Sequence, residues 1–487
     1  MNEKPYDTKL ILKTLSALIA IMAICKVSDG SGILVTVPFL LAAMVKRNAE
    51  SVFFWMFFLL TSVCINSFFL PKGPAFGIIQ RGALLLLGLS GLACWAGQRK
   101  AAITSSMLLM YAYVIYMIIP SSSGWAPYVS FLKLILFFFI FNALVSTTNS
   151  LLVSRQLDVR RLRSIYLAFA TLFIFGSLLL IPFPAISQLS GEDYLDAIKS
   201  GADVVSLFKG MTVQSQALGP IIVVFAGTLL SDLLFGIRKV NWLYVCLLAI
   251  CPYLIYKTSS RTAMFSFALI CCLNVYLIMR ARNIKSTWRT KVFSTAIICA
   301  ILAVAGVAAV PSFRDGVARY ILKYDTNAKM EDVNFETAVS TRQTLMDTAM
   351  EDFRKKPILG NGFQVDERLL SFLDLKKGGL ILSAPIEKGV WVTAVLQEGG
   401  LCGFVLLVAI FINIVIVLFK RHYYIGLSMF ATLLLLNMGE FTMFSMSGMG
   451  GFIWAMVFVG VVLDESRIRH VNAMSQVGLD GQGVCRW

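Results

Sequence analysis

Apolar residues fill this chain in long runs, separated by short polar connections and by one extended polar stretch, roughly Pro311 to Lys388. Runs long enough, or nearly so, to cross ~30 Å of hydrocarbon recur at about 10–25, 32–45, 52–70, 76–97, 102–119, 127–148, 164–182, 212–235, 242–257, 262–279, 292–311, 398–419, 423–438 and 446–463. Those at 32–45, 242–257 and 423–438 are short for a span. The pattern predicts an all-α polytopic membrane protein with about 12–14 transmembrane helices. It divides into helices over 1–311, a polar loop over 312–389, further helices over 390–463 and a tail over 464–487. No small-residue cleavage site separates the first run from the next, so that run is read as a span and not as a cleaved signal.

Composition removes the soluble alternative, because 58% hydrophobic and 14% charged residues lie far from globular averages. Net charge of +16 suggests a polyanion partner until the charges are placed. With the N-terminus in the cytoplasm, the inner segments hold Lys4, Lys9, Lys13, Arg99, Lys100, the Arg155–Arg163 cluster, Arg238, Lys239, the Arg280–Lys291 loop, Lys420, Arg421, Arg467 and Arg469. The short outer loops hold few. This positive-inside bias predicts cytoplasmic termini and an outer 312–389 loop. That loop carries twelve basic and twelve acidic residues, a balance that suits neither nucleic acid nor another highly charged polyanion.

The ten cysteines lie almost all within apolar runs and form no Cys-x-x-Cys pair, so they read as packing residues. Both histidines, His422 and His470, fall on the cytoplasmic side, which leaves the outer loop without a histidine base or metal ligand. No Asp-x-Asp occurs in an outer loop, so no metal site and no cofactor is expected.

Basic residues at the outer ends of spans then carry the argument. Lys26, Arg81, Lys133 and Arg261 all fall on that side. Each can snorkel to the interface, and the deeper Arg81 and Lys133 can equally form a cationic pocket for an anionic lipid head group. In Thr258-Ser259-Ser260-Arg261-Thr262, Ser259 or Ser260 can cap the following helix and leave an anion site with Arg261 in its first turn. Ser340-Thr341-Arg342-Gln343 fits a second capping box with Arg342 in the first turn of an amphipathic helix that Pro357 stops. Two such helix ends suit a pyrophosphate. Beyond the Gly360-Asn361-Gly362 turn the chain returns to the membrane through Glu387, Lys388 and Gly389. Helical spacing across Gly389 would put Glu387, Trp391, Ala394 and Glu398 on one face. The next span either runs on through Gly399-Gly400 or breaks there. Glu398 is a candidate base or a buried carboxylate holding a helix break.

Four stretches, in order, resemble the O-antigen ligase/polymerase superfamily. They are Phe208-Lys209-Gly210 with Gln214-Ser215-Gln216-Ala217-Leu218-Gly219; Ser260-Arg261-Thr262-Ala263; Arg342-Gln343-Thr344-Leu345 with Lys356 to Phe363; and Leu396-Gln397-Glu398-Gly399-Gly400. Asn437-Met438-Gly439-Glu440-Phe441 with Gly450-Gly451 resembles the closing segment of the exopolysaccharide and capsule polymerase branch. The resemblance covers about 204–463. It implies a GT-C-like fold and a metal-independent inverting glycosyltransferase of the bacterial inner membrane. Such an enzyme takes glycan from an undecaprenyl-pyrophosphate carrier on the periplasmic face, with a chain-length regulator as a candidate protein partner. By similarity Arg261 and Arg342 would hold the pyrophosphate, and Arg81, Lys133, Gln214, Gln216, Lys388, Trp391, Glu398 and Glu440 would line the substrate site. The family usually carries a histidine and an asparagine where this chain has Lys388 and Gly389. That departure makes Glu387 the nearest candidate base and favours polymerase over ligase to lipid A core. A lipid-linked oligosaccharide flippase is the competing class, although one long loop between unlike halves fits a paired-repeat transporter poorly.

Overall fold

The computed structural model describes residues 5–73, 75–95, 106–153, 158–188, 208–236, 241–281, 335–365 and 388–476. The expected span at 292–311 and Glu387 lie outside the described residues, as does much of the polar loop. In chain order the helices are α1 (Thr8–Val27), α2 (Thr36–Val45), α3 (Ala49–Ser62), α4 (Phe76–Trp95), α5 (Met110–Ser122), α6 (Pro127–Val153) and α7 (Val159–Leu179). They continue as α8 (Ser215–Ser231), α9 (Trp242–Lys257), α10 (Arg261–Ala281), α11 (Phe335–Lys355), α12 (Trp391–Lys420), α13 (Tyr424–Leu436) and α14 (Met449–Gln476). Among the described residues there is no strand, only an isolated antiparallel bridge between Ile65 and Thr212. The expectation of an all-α polytopic membrane protein holds. Thirteen of the expected runs contain a helix.

Among the described residues, seven helices are long and apolar enough to cross a membrane, and six more apolar helices are shorter. Their difference in length has local causes. After α3, Asn66 turns the chain aside, its amide donating to the carbonyls of Ile186 and Gly210 while its N–H bonds Met211. That arrangement gathers three connections into a cap, since Val213 also bonds Cys64. Helix α8 ends in a π-helical turn at Asp232–Gly236.

The bundle has a dry centre. In α14, 83% of the membrane-length window is buried, against 33% in α1. Small residues bring backbones together, as expected where lipid is no less apolar than the helix surface. Gly426 of α13 and Gly460 of α14 face each other, with a Cβ on Gly460 reaching 2.9 Å from the Gly426 nitrogen. Gly88 lets α4 lie against the Phe139 backbone of α6. An aromatic cluster of Phe137, Phe141, Phe363, Phe444 and Trp454 fills the middle, ring to ring at 5.3–5.6 Å.

Candidate active site

Helix α12 is two half-helices. Gly400 sits at φ 62, ψ −167, a conformation open almost only to glycine, and interrupts the hydrogen-bond ladder just after Glu398. Of the two courses left open for this span, the break at Gly399-Gly400 is the one present. A break at this depth frees carbonyls at one helix end and N–H groups at the other, which cannot stay unsatisfied in an apolar interior. The segment after α11 supplies the partners. Leu401 N–H bonds Pro357 O at 2.8 Å and Cys402 N–H bonds Ile358 O at 3.3 Å. In return Asn361 N–H bonds Gln397 O and Gly362 N–H bonds Glu398 O, both at 3.0 Å. The glycines of this plug are needed for its shape. Gly360 has φ 78 and Gly362 φ 110, and a side chain on Gly360 would collide with the Glu398 carbonyl.

Side chains lock the plug to the helix. Asn361 donates to Asp352 O at 2.9 Å, and Gln397 donates to the buried Asp352 carboxylate at 2.8 Å. Asp352 also pairs with Lys355 at 3.0 Å. Beyond the plug, Lys388 donates to Val365 O at 2.6 Å and to Glu398 Oε1 at 2.7 Å. Lys133 of α6 donates to Gln364 O at 2.8 Å. Both lysines and Glu398 are buried. Lys133 lies within electrostatic reach of Glu398, as does the Tyr113 hydroxyl. Neither Glu398 Oε2 nor the Tyr113 hydroxyl has a partner among the described residues.

The second part of the site lies at the start of α10. Ser260 Oγ accepts the N–H of Ala263 at 3.4 Å and Thr258 Oγ1 accepts that of Ser260 at 3.4 Å, with Ser259 at φ 52. Ser260 is thus the cap, and Arg261 occupies the first position of the helix as expected. Gly219 packs on this turn, since a Cβ there would lie 2.8 Å from Ser260 Cβ. Gly439 packs against the Thr262 side chain from the other direction. Asn437 fixes that turn by accepting the N–H groups of Thr442 and Met443 at 2.7 and 2.8 Å, and its carbonyl accepts the Trp391 N–H at 3.0 Å. A Cβ on Gly389 would lie 3.6 Å from Leu345 of α11. Four separated motifs thereby meet around the start of α10 and the start of α12.

The structure places the other residues singled out in the sequence as follows. Gln214 is the N-cap of α8 and Gln216 its second residue, and both are exposed. Glu440 is half-buried directly after Gly439. Trp391 opens α12 with its ring against Phe404 and Phe411. Arg81 lies one turn into α4 with its Nε buried and without a hydrogen-bond partner among the described residues. Nearby in sequence, burial lowers the Lys72 ammonium to about 8, and it donates to the Val63 carbonyl.

Two expectations need correction. Arg342 does not stand in the first turn of a helix capped by Ser340, because α11 already begins at Phe335. Phe335 to Val339 have no proline or glycine to stop the helix and extend it upstream through the capping-box residues. Arg342 instead lies one turn before Leu345, the residue opposite Gly389. Helical spacing also does not hold across Gly389, which has φ 71 and precedes α12, whose first residue is Trp391; Glu387 lies outside the described residues.

Sequence reasoning missed Tyr113, Ser130 and Asp352, and it quoted Asn437 only as part of a motif, without a role. Asp352 had a signal: an acid on the apolar face of α11, between Ala349 and Phe353, needs a buried partner. Asn437 closes an apolar helix and precedes Gly439, a pattern that fits a buried turn anchor.

A broken membrane helix, a backbone plug and an arginine-bearing helix start define an all-α polytopic membrane protein with its polar site built at one end of the bundle. Residues 244–384 match the family model described as O-Antigen ligase. The match supports the resemblance of the chain to the O-antigen ligase/polymerase superfamily. The match spans Arg261, Arg342 and the plug, and it ends before Glu387 and Lys388. No curated protein matches the chain.

Proposed function

We propose that the chain is a polysaccharide polymerase of the inverting glycosyltransferase type, acting on the periplasmic face of the bacterial inner membrane. Its donor is an undecaprenyl-pyrophosphate-linked oligosaccharide and its acceptor a sugar hydroxyl on a second glycan. The observation that carries this reading is the meeting of Gly219, the Ser260–Thr262 turn, Gly439 and the start of α12 around one capped helix end. Free N–H groups and a positive dipole end suit a phosphate, and Arg261 adds a bidentate cation.

Arg261 and Arg342 hold the pyrophosphate and offset the charge that develops on it as the anomeric bond breaks. Glu387 removes the proton of the acceptor hydroxyl, a step that typically contributes ~10²–10⁴-fold. Gln214, Gln216, Trp391 and Glu440 bind the glycan near the start of α10. Arg81 and Lys133 contribute positive potential. A ligase transferring to lipid A core would share these donor contacts.

Deleting the gene tests this reading. The polymer should disappear while single repeat units accumulate on the lipid carrier at the outer face. Loss of polymer with repeat units trapped at the inner face would support a flippase, and intact polymer unattached to lipid A would support a ligase. Cysteine labelling in intact cells fixes the side, because Gln343→Cys should react from outside and Lys285→Cys only after permeabilisation.

A further inference from the structure

The connection between α13 and α14, residues 437–448, forms no regular helix, yet it is held at both ends. Asn437 shapes its beginning. This buried side chain donates to Leu433 O at 2.7 Å and accepts the N–H groups of Thr442 and Met443, so the chain folds back over the end of α13. Helix α14 holds the far side: Trp454 Nε1 donates to Met443 O at 3.1 Å. Gly450 and Gly451 lie so close beneath the turn that a Cβ would come to 2.1 Å from Thr442 O and 2.0 Å from Met446 O. A buried polar group with its partners met in this way rigidifies the segment around it.

From this frame four contacts reach outward. Asn437 O accepts the Trp391 N–H at 3.0 Å, at the start of α12. Gly439 lies on Thr262, the residue after Arg261, where a Cβ would come to 2.0 Å from the threonine Oγ1 and 2.6 Å from its Cβ. The Phe444 ring meets that of Phe363, directly after the plug, at 5.3 Å. Ser447 O accepts from Gln80, the residue before Arg81, at 2.8 Å, and the same Gln80 amide donates to Leu59 O of α3 at 2.9 Å. One short, rigid segment therefore touches the start of α10, the start of α12, the end of the plug and the outer part of α4. Its approach to α10 is the closest of these and depends on Gly439 having no side chain.

On the polymerase reading proposed above, we infer that Asn437 and Gly439 are positioning residues: the 437–448 connection fixes the start of α10, with Arg261, against the start of α12, with Trp391. Asn437 does this by folding the connection and Gly439 by letting it close on Thr262. Neither residue needs to touch the substrate. Arg261 supplies charge, which making room elsewhere cannot restore; Gly439 supplies placement, which it can.

The test uses the purified full chain in lipid nanodiscs, with lipid-linked repeat units extracted from the deletion strain as donor. Gly439→Ala puts a methyl group where the Thr262 side chain stands, so the two turns must part. This variant should accumulate like wild type, and its kcat/KM for the donor should fall at least ~10-fold, since a displacement near 1 Å can cost ~10²-fold. Adding Thr262→Gly removes the three side-chain atoms that the new methyl meets most closely. The exchange should bring kcat/KM back to within ~3-fold of wild type, a coupling expected of residues in contact. Should Gly439→Ala fail to accumulate, Asn437→Ser carries the test: it shortens the acceptor for Thr442 and Met443, keeps the backbone bond to Trp391 and should show the same fall in kcat/KM. Wild-type kcat/KM in either well-folded variant overturns the positioning role, by leaving these residues a part in stability alone. A loss in Gly439→Ala that Thr262→Gly does not relieve also overturns it, because the methyl then acts somewhere other than on α10. No turnover by the wild-type chain instead brings down the polymerase reading, and the positioning role with it.

Discussion

Two of the buried ion pairs among the described residues are alike in length and unlike in completeness. Arg163 and Asp232 approach to 2.8 Å where α7 begins and α8 ends. Lys388 and Glu398 approach to 2.7 Å at the break in α12. Asp232 is fully served: Arg163 donates through Nε and Nη2 at 2.9 and 2.8 Å, and Tyr166 and Tyr244 at 2.6 and 2.8 Å. Arg163 also reaches Gly236 O at 3.0 Å, closing the π-helical turn. Glu398 has one oxygen bonded and one without a partner among the described residues, beside a fully buried tyrosine hydroxyl in the same condition. Of the two pairs, the second is the one with left-handed backbone close by, at Gln364 and Gly400. The complete cluster ties three helices together. The incomplete one lies in the candidate site, where unsatisfied polar groups call for an explanation.

The largest effect is expected at the complete pair. Arg163→Met strands Asp232 in the interior, and breaking a buried pair typically costs ~3–5 kcal/mol. Protein in the membrane should fall severely, with polymer falling in proportion, as quantitative blotting beside polymer yield would show. Wild-type accumulation would remove the contrast between the two pairs.

Gly400→Ala should come next. Alanine cannot hold φ 62, ψ −167 without about 1–3 kcal/mol of strain, and its Cβ meets the Ile358 carbonyl. Lower thermal stability in detergent together with lost polymer is the expected result. A fully active Gly400→Ala variant would show that the break is dispensable.

The smallest effect concerns Lys72, which burial lowers to about 8 from 10.5. The unfolded chain binds more protons than the folded one between these values, so this residue's penalty is full below pH 8 and fades as pH rises toward 10.5. Lys72→Met should be the more stable protein at pH 7, with the gap narrowing across that window in thermal scans. A constant gap would mean that burial does not lower the Lys72 ammonium from its ordinary value.

The helices were legible because apolar run length is the signal a bilayer imposes, and Ser260 was legible because capping is local in sequence. The Gly400 break could be read from two adjacent glycines after a carboxylate. The capping box at Ser340 misled because an acceptable motif was overridden by five helix-compatible residues upstream of it. Nothing local could reveal that Pro357–Gly362 pairs with residues forty positions on, or that Lys133 would choose a carbonyl of the loop over the interface. Those are tertiary facts. They depend on which backbone groups the break leaves unsatisfied, and a broken helix hides that number from any periodicity.

The central claim is that the capped start of α10, with Arg261, holds the carrier pyrophosphate. The most direct measurement compares wild type and Arg261→Lys, purified in nanodiscs, for polymer formed from extracted lipid-linked repeat units. An ammonium group cannot reproduce the bidentate, planar guanidinium contact. The account predicts equal accumulation and no polymer from Arg261→Lys; polymer at the wild-type rate from that variant would contradict it.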